Sequence, residues 1–300
     1  MTAPLIAFLG IGLMGAPMAT LLAQAGYHLS AWNRSYDKAE ALRHTGAILH
    51  VQLNEALADA DIVISMLASG AAVAEVLDAA LPSLKPDTLW IDMSSTQHAE
   101  ALTFHRRLID AGHHFVDAPV SGGVVGAAAA TLAIMAGGSA ADFARAEPVL
   151  RVMGRPTLVG PAGSGQVAKL CNQLIVGGTL NIVAEALLLA QATGADPAAV
   201  RAAIRGGFAE SRVLELQGGR MLERDFMPGG KVRTQLKDLR NVLIAAADAG
   251  VVLPMTALAA ERFGSIEQEH PGADHTAALL AVEKLNPGFR VGEGPDRLPS

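Results

Sequence analysis

The hexapeptide Gly10-Ile11-Gly12-Leu13-Met14-Gly15 follows the first apolar run, Leu5–Leu9, and opens a helical pattern over Gly15–Gln24. A G-x-G-x-x-G spacing between a strand and a helix leaves few folds open to the rest of the chain. Gly10 allows the tight turn out of the strand. Gly12 lets the backbone approach a pyrophosphate, and Gly15 lets helix and sheet pack closely, with the anion held at the helix N-terminus. A glycine turn with no ligand is the plain alternative; the strand before it and the helix after it favour the phosphate cradle.

The next 150 residues repeat the theme. Short apolar runs at His28–Trp32, Ile62–Met66, Leu89–Met93, His114–Asp117, Thr131–Met135 and Thr157–Val159 alternate with helical patterns. Strands separated by helices predict a parallel sheet with right-handed crossovers. The texture changes at Gly163. From Gln166 to Thr193 no strong turn signal appears except Gly177–Gly178, and the run is apolar almost all round. Such a helix belongs inside a core or a membrane; Asn172, Gln173, Asn181 and Glu185 argue for the core. Helices at Pro197–Ile204, Arg212–Arg220, Thr234–Ala249 and Met255–Glu269 follow, each bounded by Gly or Pro. Three hundred residues fit two domains at the usual ~150 each. The expected division is residues 1–162 for the nucleotide-binding α/β domain, 163–293 for an all-α domain entered through a long helix, and a loose tail over 294–300.

Composition narrows the function. A net charge of −6 and a pI near 5.8 speak against nucleic acid and anionic membrane as partners. The uncharged stretch Ala118–Ala141 is too broken by Pro119, Ser121, Thr131 and glycines to span a bilayer. The one cysteine, Cys171, forms no internal disulfide, the nine histidines form no metal-binding pattern, and no basic segment precedes Leu5–Gly10 as in a signal peptide. The expectation is a cytoplasmic protein with no metal.

Four further segments carry chemistry. Trp32-Asn33-Arg34-Ser35 stands where the cofactor's ribose partner belongs, about 20 residues after the glycine turn. The usual acid is absent there and Arg34 is present, so NADP is preferred and NAD remains possible. Asp117-Ala-Pro-Val-Ser121-Gly122-Gly123 offers backbone N–H groups to a carboxylate; a tight turn alone is the alternative. In Gly163-Ser-Gly-Gln-Val-Ala-Lys169-Leu-Cys-Asn172-Gln173, Lys169 and Asn172 lie three apart and share a helix face. A solvated lysine near a helix end is the bland reading of Lys169. The fourth segment pairs Phe226-Met-Pro-Gly with Leu236-Lys237-Asp238-Leu239.

These motifs, in this order, make the chain resemble the β-hydroxyacid (3-hydroxyisobutyrate) dehydrogenase family over residues 4 to about 286. The resemblance implies a Rossmann domain followed by a helical domain; the buried-looking helix of the second domain suggests that subunits pack through it, as a homodimer or homotetramer. It implies Lys169 as the catalytic lysine, Asn172 beside it holding substrate, and Ser121, Gly122 and Gly123 as the loop that binds a small carboxylate substrate. It assigns Thr96, Met66 and Leu67, with Lys237, to the cofactor alongside Gly10–Gly15 and Asn33–Ser35. Lys169-Leu-Cys-Asn172-Gln173 and Ala273-Asp-His-Thr-Ala277 are most similar to the tartronate semialdehyde reductases, which implies reduction of tartronate semialdehyde to glycerate. 3-Hydroxyisobutyrate and 4-hydroxybutyrate are alternative substrates, and a non-catalytic nucleotide-sensing relative is the alternative from another class. The sequence departs from the family at Ala130, where glycine is usual, and at Gly230-Lys231, where a bulky residue is common; the latter puts substrate size in doubt.

Overall fold

The computed structural model describes residues 4–299. The chain divides into two compact units, the first ending at Lys169 and the second beginning at Leu170. In the first, the strands are β1 (Ile6–Leu9), β2 (Leu29–Trp32), β3 (Ile48–His50), β4 (Ile62–Ser65), β5 (Leu89–Asp92), β6 (His114–Asp117), β7 (Val120–Ser121), β8 (Leu132–Gly137) and β9 (Gly154–Gly160). Among the described residues they form one nine-stranded sheet in the order 3-2-1-4-5-6-8-7, with β9 beside β8. Strands β1 to β6 run parallel, β8 is antiparallel to β6 and β7, and β9 is parallel to β8. The helices of this unit are α1 (Gly15–Gln24), α2 (Tyr36–Ala39), α3 (Leu53–Leu57), α4 (Gly70–Ala80), α5 (His98–Asp110), α6 (Gly123–Ala128) and α7 (Ala140–Met153).

Strand residues alternate between two cores. Ile6 and Phe8 of β1 join one cluster with Met18, Ile64 and Ile91, while Ala7 and Leu9 join another with Val63, Trp90 and Phe115. Burial on both faces is what a parallel sheet requires, and it explains why these strands read as unbroken apolar runs. The order 3-2-1-4-5-6 reverses direction between β1 and β4, and in such sheets a ligand sits beyond the strand ends at that switch point. The Gly10–Gly15 turn leaves β1 there.

The helix α8 (Ser164–Ala192) begins in the first unit and continues into the second. It is followed by α9 (Pro197–Ala203), α10 (Gly218–Leu222), α11 (Val232–Asp248), α12 (Pro254–Glu269) and α13 (Ala278–Leu285). The helix expected over Arg212–Arg220 is present, with Val213–Gln217 wound as a π-helix that runs directly into the short α10. Two expectations are corrected. The helix α8 is not buried all round: Val167, Cys171, Ile175, Ile182 and Leu189 are exposed along one side. The C-terminal segment is tied down rather than loose. Arg224, buried beneath it, is bonded to Glu283, Asp296 and the Val291 carbonyl, and the Phe226 amide donates to the Arg297 carbonyl. A buried guanidinium needs such partners, and these hold residues 291–297 in place; Ser300 lies outside the described residues. The departure at Ala130 also has a structural counterpart: its φ of +57° lies in the left-handed region that glycine enters without a steric cost.

Candidate active site

Each glycine of the turn has its own geometric reason. A Cβ on Gly15 would collide with the Gly10 carbonyl oxygen, and one on Gly10 with the Met66 carbonyl. Gly10 also has a φ of +103°. These two are required by the chain's own packing. Gly12 differs, because a Cβ there would meet nothing within 4 Å. Among the described residues nothing demands glycine at this exposed position. Backbone left bare toward open space, at the N-terminus of α1, is what the approach of a pyrophosphate needs. The turn therefore fits a dinucleotide.

Hydrogen bonds and one packing contact link this turn to the start of α8. The Ile11 amide donates to Asn33 Oδ1 at 2.9 Å, so Asn33 braces the turn from the end of β2. Gly10 lies against Met66 and Leu67 at the end of β4. The Leu67 amide donates to Ser94 Oγ at 2.8 Å, which joins the β4 end to the β5 end. Gln166, fully buried on α8, then grips that second loop twice: the Thr96 amide donates to Gln166 Oε1 at 3.1 Å, and Gln166 Nε2 donates to the Ser94 carbonyl at 2.8 Å. Lys169 lies three residues further along the same helix and is partly buried.

The start of α8 is itself anchored by a carboxylate. Asp117 Oδ1 accepts the Gly163 amide at 2.7 Å and Oδ2 accepts the Gln166 amide at 2.8 Å. A carboxylate at a helix N-terminus satisfies orphan N–H groups and meets the positive end of the dipole. Asp117 pairs in register with Asp92, the last residue of β5, and both are fully buried. Burial pushes both carboxyls up to about 6, against the hydrogen bonds that favour their charged forms. Asp92 Oδ1 accepts from Ser65 Oγ at 2.8 Å and the Ser94 amide at 3.2 Å, whereas its Oδ2 has no hydrogen-bond partner among the described residues.

The other expected residues fall elsewhere. Arg34 is exposed, with Glu75 3.9 Å from its guanidinium. Ser121 pairs with Ala133 of β8, while Gly122 and Gly123 have φ values of +139° and +63° and are exposed at the start of α6. That loop stands outside the bond chain just described. In the second unit, Asn172 Nδ2 donates to Gln173 Oε1 at 2.8 Å, Gln173 Nε2 donates to Asp238 Oδ2 at 2.6 Å, and Lys237 Nζ lies 3.1 Å from Asp238 Oδ1. Asn172 and Lys237 are thereby connected through Gln173 and the buried Asp238. Gln166 and Asp117 were not singled out from sequence as site residues, because their partners lie some 46 to 72 positions away.

An open glycine cradle at the switch point of such a sheet defines the class, a dinucleotide-binding protein. A family model described as the NAD binding domain of 6-phosphogluconate dehydrogenase matches residues 5–171. A second, described as NAD-binding of NADP-dependent 3-hydroxyisobutyrate dehydrogenase, matches residues 163–282. The chain is similar to the 2-hydroxy-3-oxopropionate reductase of Escherichia coli K12, 40% identical over 286 residues, covering 93% of this chain and 97% of the relative. It is 34% identical to a probable 3-hydroxyisobutyrate dehydrogenase of Mycobacterium tuberculosis H37Rv, over 91% of this chain and 96% of that one. Among solved structures it is similar to Mycobacterium tuberculosis 3-hydroxyisobutyrate dehydrogenase with L-serine: TM-score 0.87, 32% identity, 94% of this chain and 99% of that chain. The chain belongs to the 3-hydroxyisobutyrate dehydrogenase family and is an NAD(P)-dependent hydroxyacid dehydrogenase.

Proposed function

We propose that the enzyme reduces a small semialdehyde carboxylic acid to the hydroxyacid, with tartronate semialdehyde to glycerate as the reaction and NADP(H) as the preferred cofactor. The observation that carries this reading is the linkage from the glycine turn, which packs on Leu67, through hydrogen bonds of Leu67, Ser94 and Gln166 to the helix bearing Lys169. It ties the start of the helix bearing the proposed proton donor to loops that would face the nicotinamide end of a bound dinucleotide. The 40% identity to a 2-hydroxy-3-oxopropionate reductase supports this substrate over 3-hydroxyisobutyrate or 4-hydroxybutyrate.

Gly10–Gly15 would hold the pyrophosphate. Arg34, with Asn33 and Ser35, would hold the adenosine ribose, and Met66, Leu67, Thr96 and Lys237 would hold the remainder. The bound cofactor supplies a hydride to the aldehyde carbon. As that carbon is reduced, negative charge develops on its oxygen, and a donor placed there stabilises the transition state more than the ground state. Lys169 Nζ is that donor and delivers the proton; in the reverse direction it accepts one. Asn172 orients the oxygen without adding charge. The Ser121-Gly122-Gly123 backbone takes the substrate carboxylate, which fixes the distance of the reacting carbon. The exposed apolar side of α8 (Ile175, Ile182, Leu189) supports assembly of the chain as a homodimer or homotetramer; a monomer in sedimentation velocity would contradict that assembly.

The substrate reading is tested with tartronate semialdehyde against glycolaldehyde, which lacks the carboxylate. Hydrogen bonds to a charged group are worth roughly 1.5–3 kcal/mol each, so kcat/KM should fall by about 100-fold or more for glycolaldehyde. Comparable kcat/KM values would remove the carboxylate anchor and reopen the substrate class.

A further inference from the structure

We propose that Gln166 is a positioning residue that sets where Lys169 stands relative to the Ser94–Thr96 loop; this rests on the reading of Lys169 as the proton donor. Gln166 is fully buried, and its carboxamide is read at both ends by backbone. Its oxygen faces the Thr96 amide and its nitrogen faces the Ser94 carbonyl, so only one amide orientation satisfies the site. Its own amide is held by Asp117 Oδ2. The helix start is therefore bonded at once to the end of β6 and to the loop after β5.

Close packing leaves this joint little slack. A Cβ on Gly165 would strike the Met135 and Asp117 carbonyl oxygens, and one on Gly163 would come within 2.8 Å of the His98 ring. Gln166 and Lys169, three apart, share a face of α8 and are separated by ~4.5 Å along its axis. A shift of the Gln166 contact is thus transmitted to Lys169 through less than one rigid helical turn. A misplacement of about 1 Å in a reacting group can cost on the order of 100-fold in rate.

The isosteric change Gln166→Glu gives the idea a specific signature. As a neutral acid, the introduced carboxyl can still accept from the Thr96 amide and donate to the Ser94 carbonyl. Once ionised, it has nothing to donate, and two acceptors face each other. Burial and the nearby Asp117 and Asp92 favour its neutral form, Lys169 on the same helix face favours the charged one, and His98 of α5 flanks the joint at Gly163.

The experiment measures kcat with saturating NADPH and tartronate semialdehyde from pH 5.5 to 8.5 for the wild type, Gln166→Leu, Gln166→Glu, Lys169→Ala and the Gln166→Leu/Lys169→Ala double variant. Gln166→Leu should lower kcat by about 10- to 100-fold. In the Lys169→Ala background the same change should cost less than about 3-fold, because the group it positions is gone. The ratio of Gln166→Glu to wild type should climb as pH falls, which a general loosening of the fold would not produce. A Gln166→Leu activity within 2-fold of wild type, a full loss persisting in the double variant, or a flat Gln166→Glu ratio would each overturn the proposal. If Gln166→Leu does not fold, the Gln166→Glu ratio alone decides. Activity surviving in Lys169→Ala alone would instead strike the reading of the lysine.

Discussion

Arg34 and Gly12 both border open space, one with a long charged side chain and one with none. The Arg34 side chain is 82% exposed, and its 3.9 Å approach to Glu75 is too long for a hydrogen bond, so its guanidinium is available to a 2′-phosphate at little cost. Exposed ion pairs contribute ~0–1 kcal/mol, so replacing Arg34 should leave the fold intact. Arg34→Ala is expected to weaken NADPH binding by about 10-fold or more, the loss of one charge-assisted pair, and to leave NADH binding nearly unchanged. Fluorescence titration with both cofactors checks this; equal losses would show that Arg34 does not read the phosphate. At this scale the sequence was most legible where a residue's role depends on its neighbours in the chain, as in the glycine turn. Gln166 was opaque for the opposite reason. A glutamine in an apolar helix carries no local mark of the two backbone groups it serves across the fold.

The strands β1, β2, β4, β5 and β6 were readable because a parallel sheet buried on both faces writes each strand as an apolar run. Strands of two and three residues, β7 and β3, are too short to carry any period, and the turn over Val213–Gln217 keeps a helical pattern while widening to a π turn. What the runs do not disclose is that β5 and β6 end side by side in two buried carboxyls. Burial raises both to about 6, from the 3.8 that is ordinary for an aspartate in water. A raised carboxyl favours the fold in its neutral form. That contribution is fully present below about 4 and is lost as pH rises through about 6. Between pH 5 and pH 8 the wild type should therefore lose on the order of 1 kcal/mol from this pair, a drop of a few degrees in thermal midpoint. Asp92→Asn cannot ionise and should show a smaller drop. Parallel midpoint-against-pH curves for the two proteins would contradict the assignment.

Across the whole molecule, the change of texture near Gly163 falls at the start of α8, Ser164, while the compact units divide within that helix, between Lys169 and Leu170. The fate of the C-terminus was hidden, since Arg224 lies far in sequence from Glu283 and Asp296 and only the fold gathers the two carboxylates around the buried guanidinium. The candidate site was legible as a set of residues and illegible as a connected frame. Gly10–Gly15, Met66, Leu67, Thr96 and Lys169 could each be named, but the bonds that join Leu67 and Thr96 through Ser94 and Gln166 to the start of α8 could not. The proposed reaction depends above all on Lys169. The decisive measurement is single-turnover oxidation of NADPH by tartronate semialdehyde in wild type and Lys169→Ala, with NADPH affinity measured on both. A lost general acid should slow the turnover by on the order of 10²–10⁴, with NADPH affinity changed by less than about 3-fold. Turnover within a few-fold of wild type would contradict the role given to Lys169, and with it the reaction proposed for this enzyme.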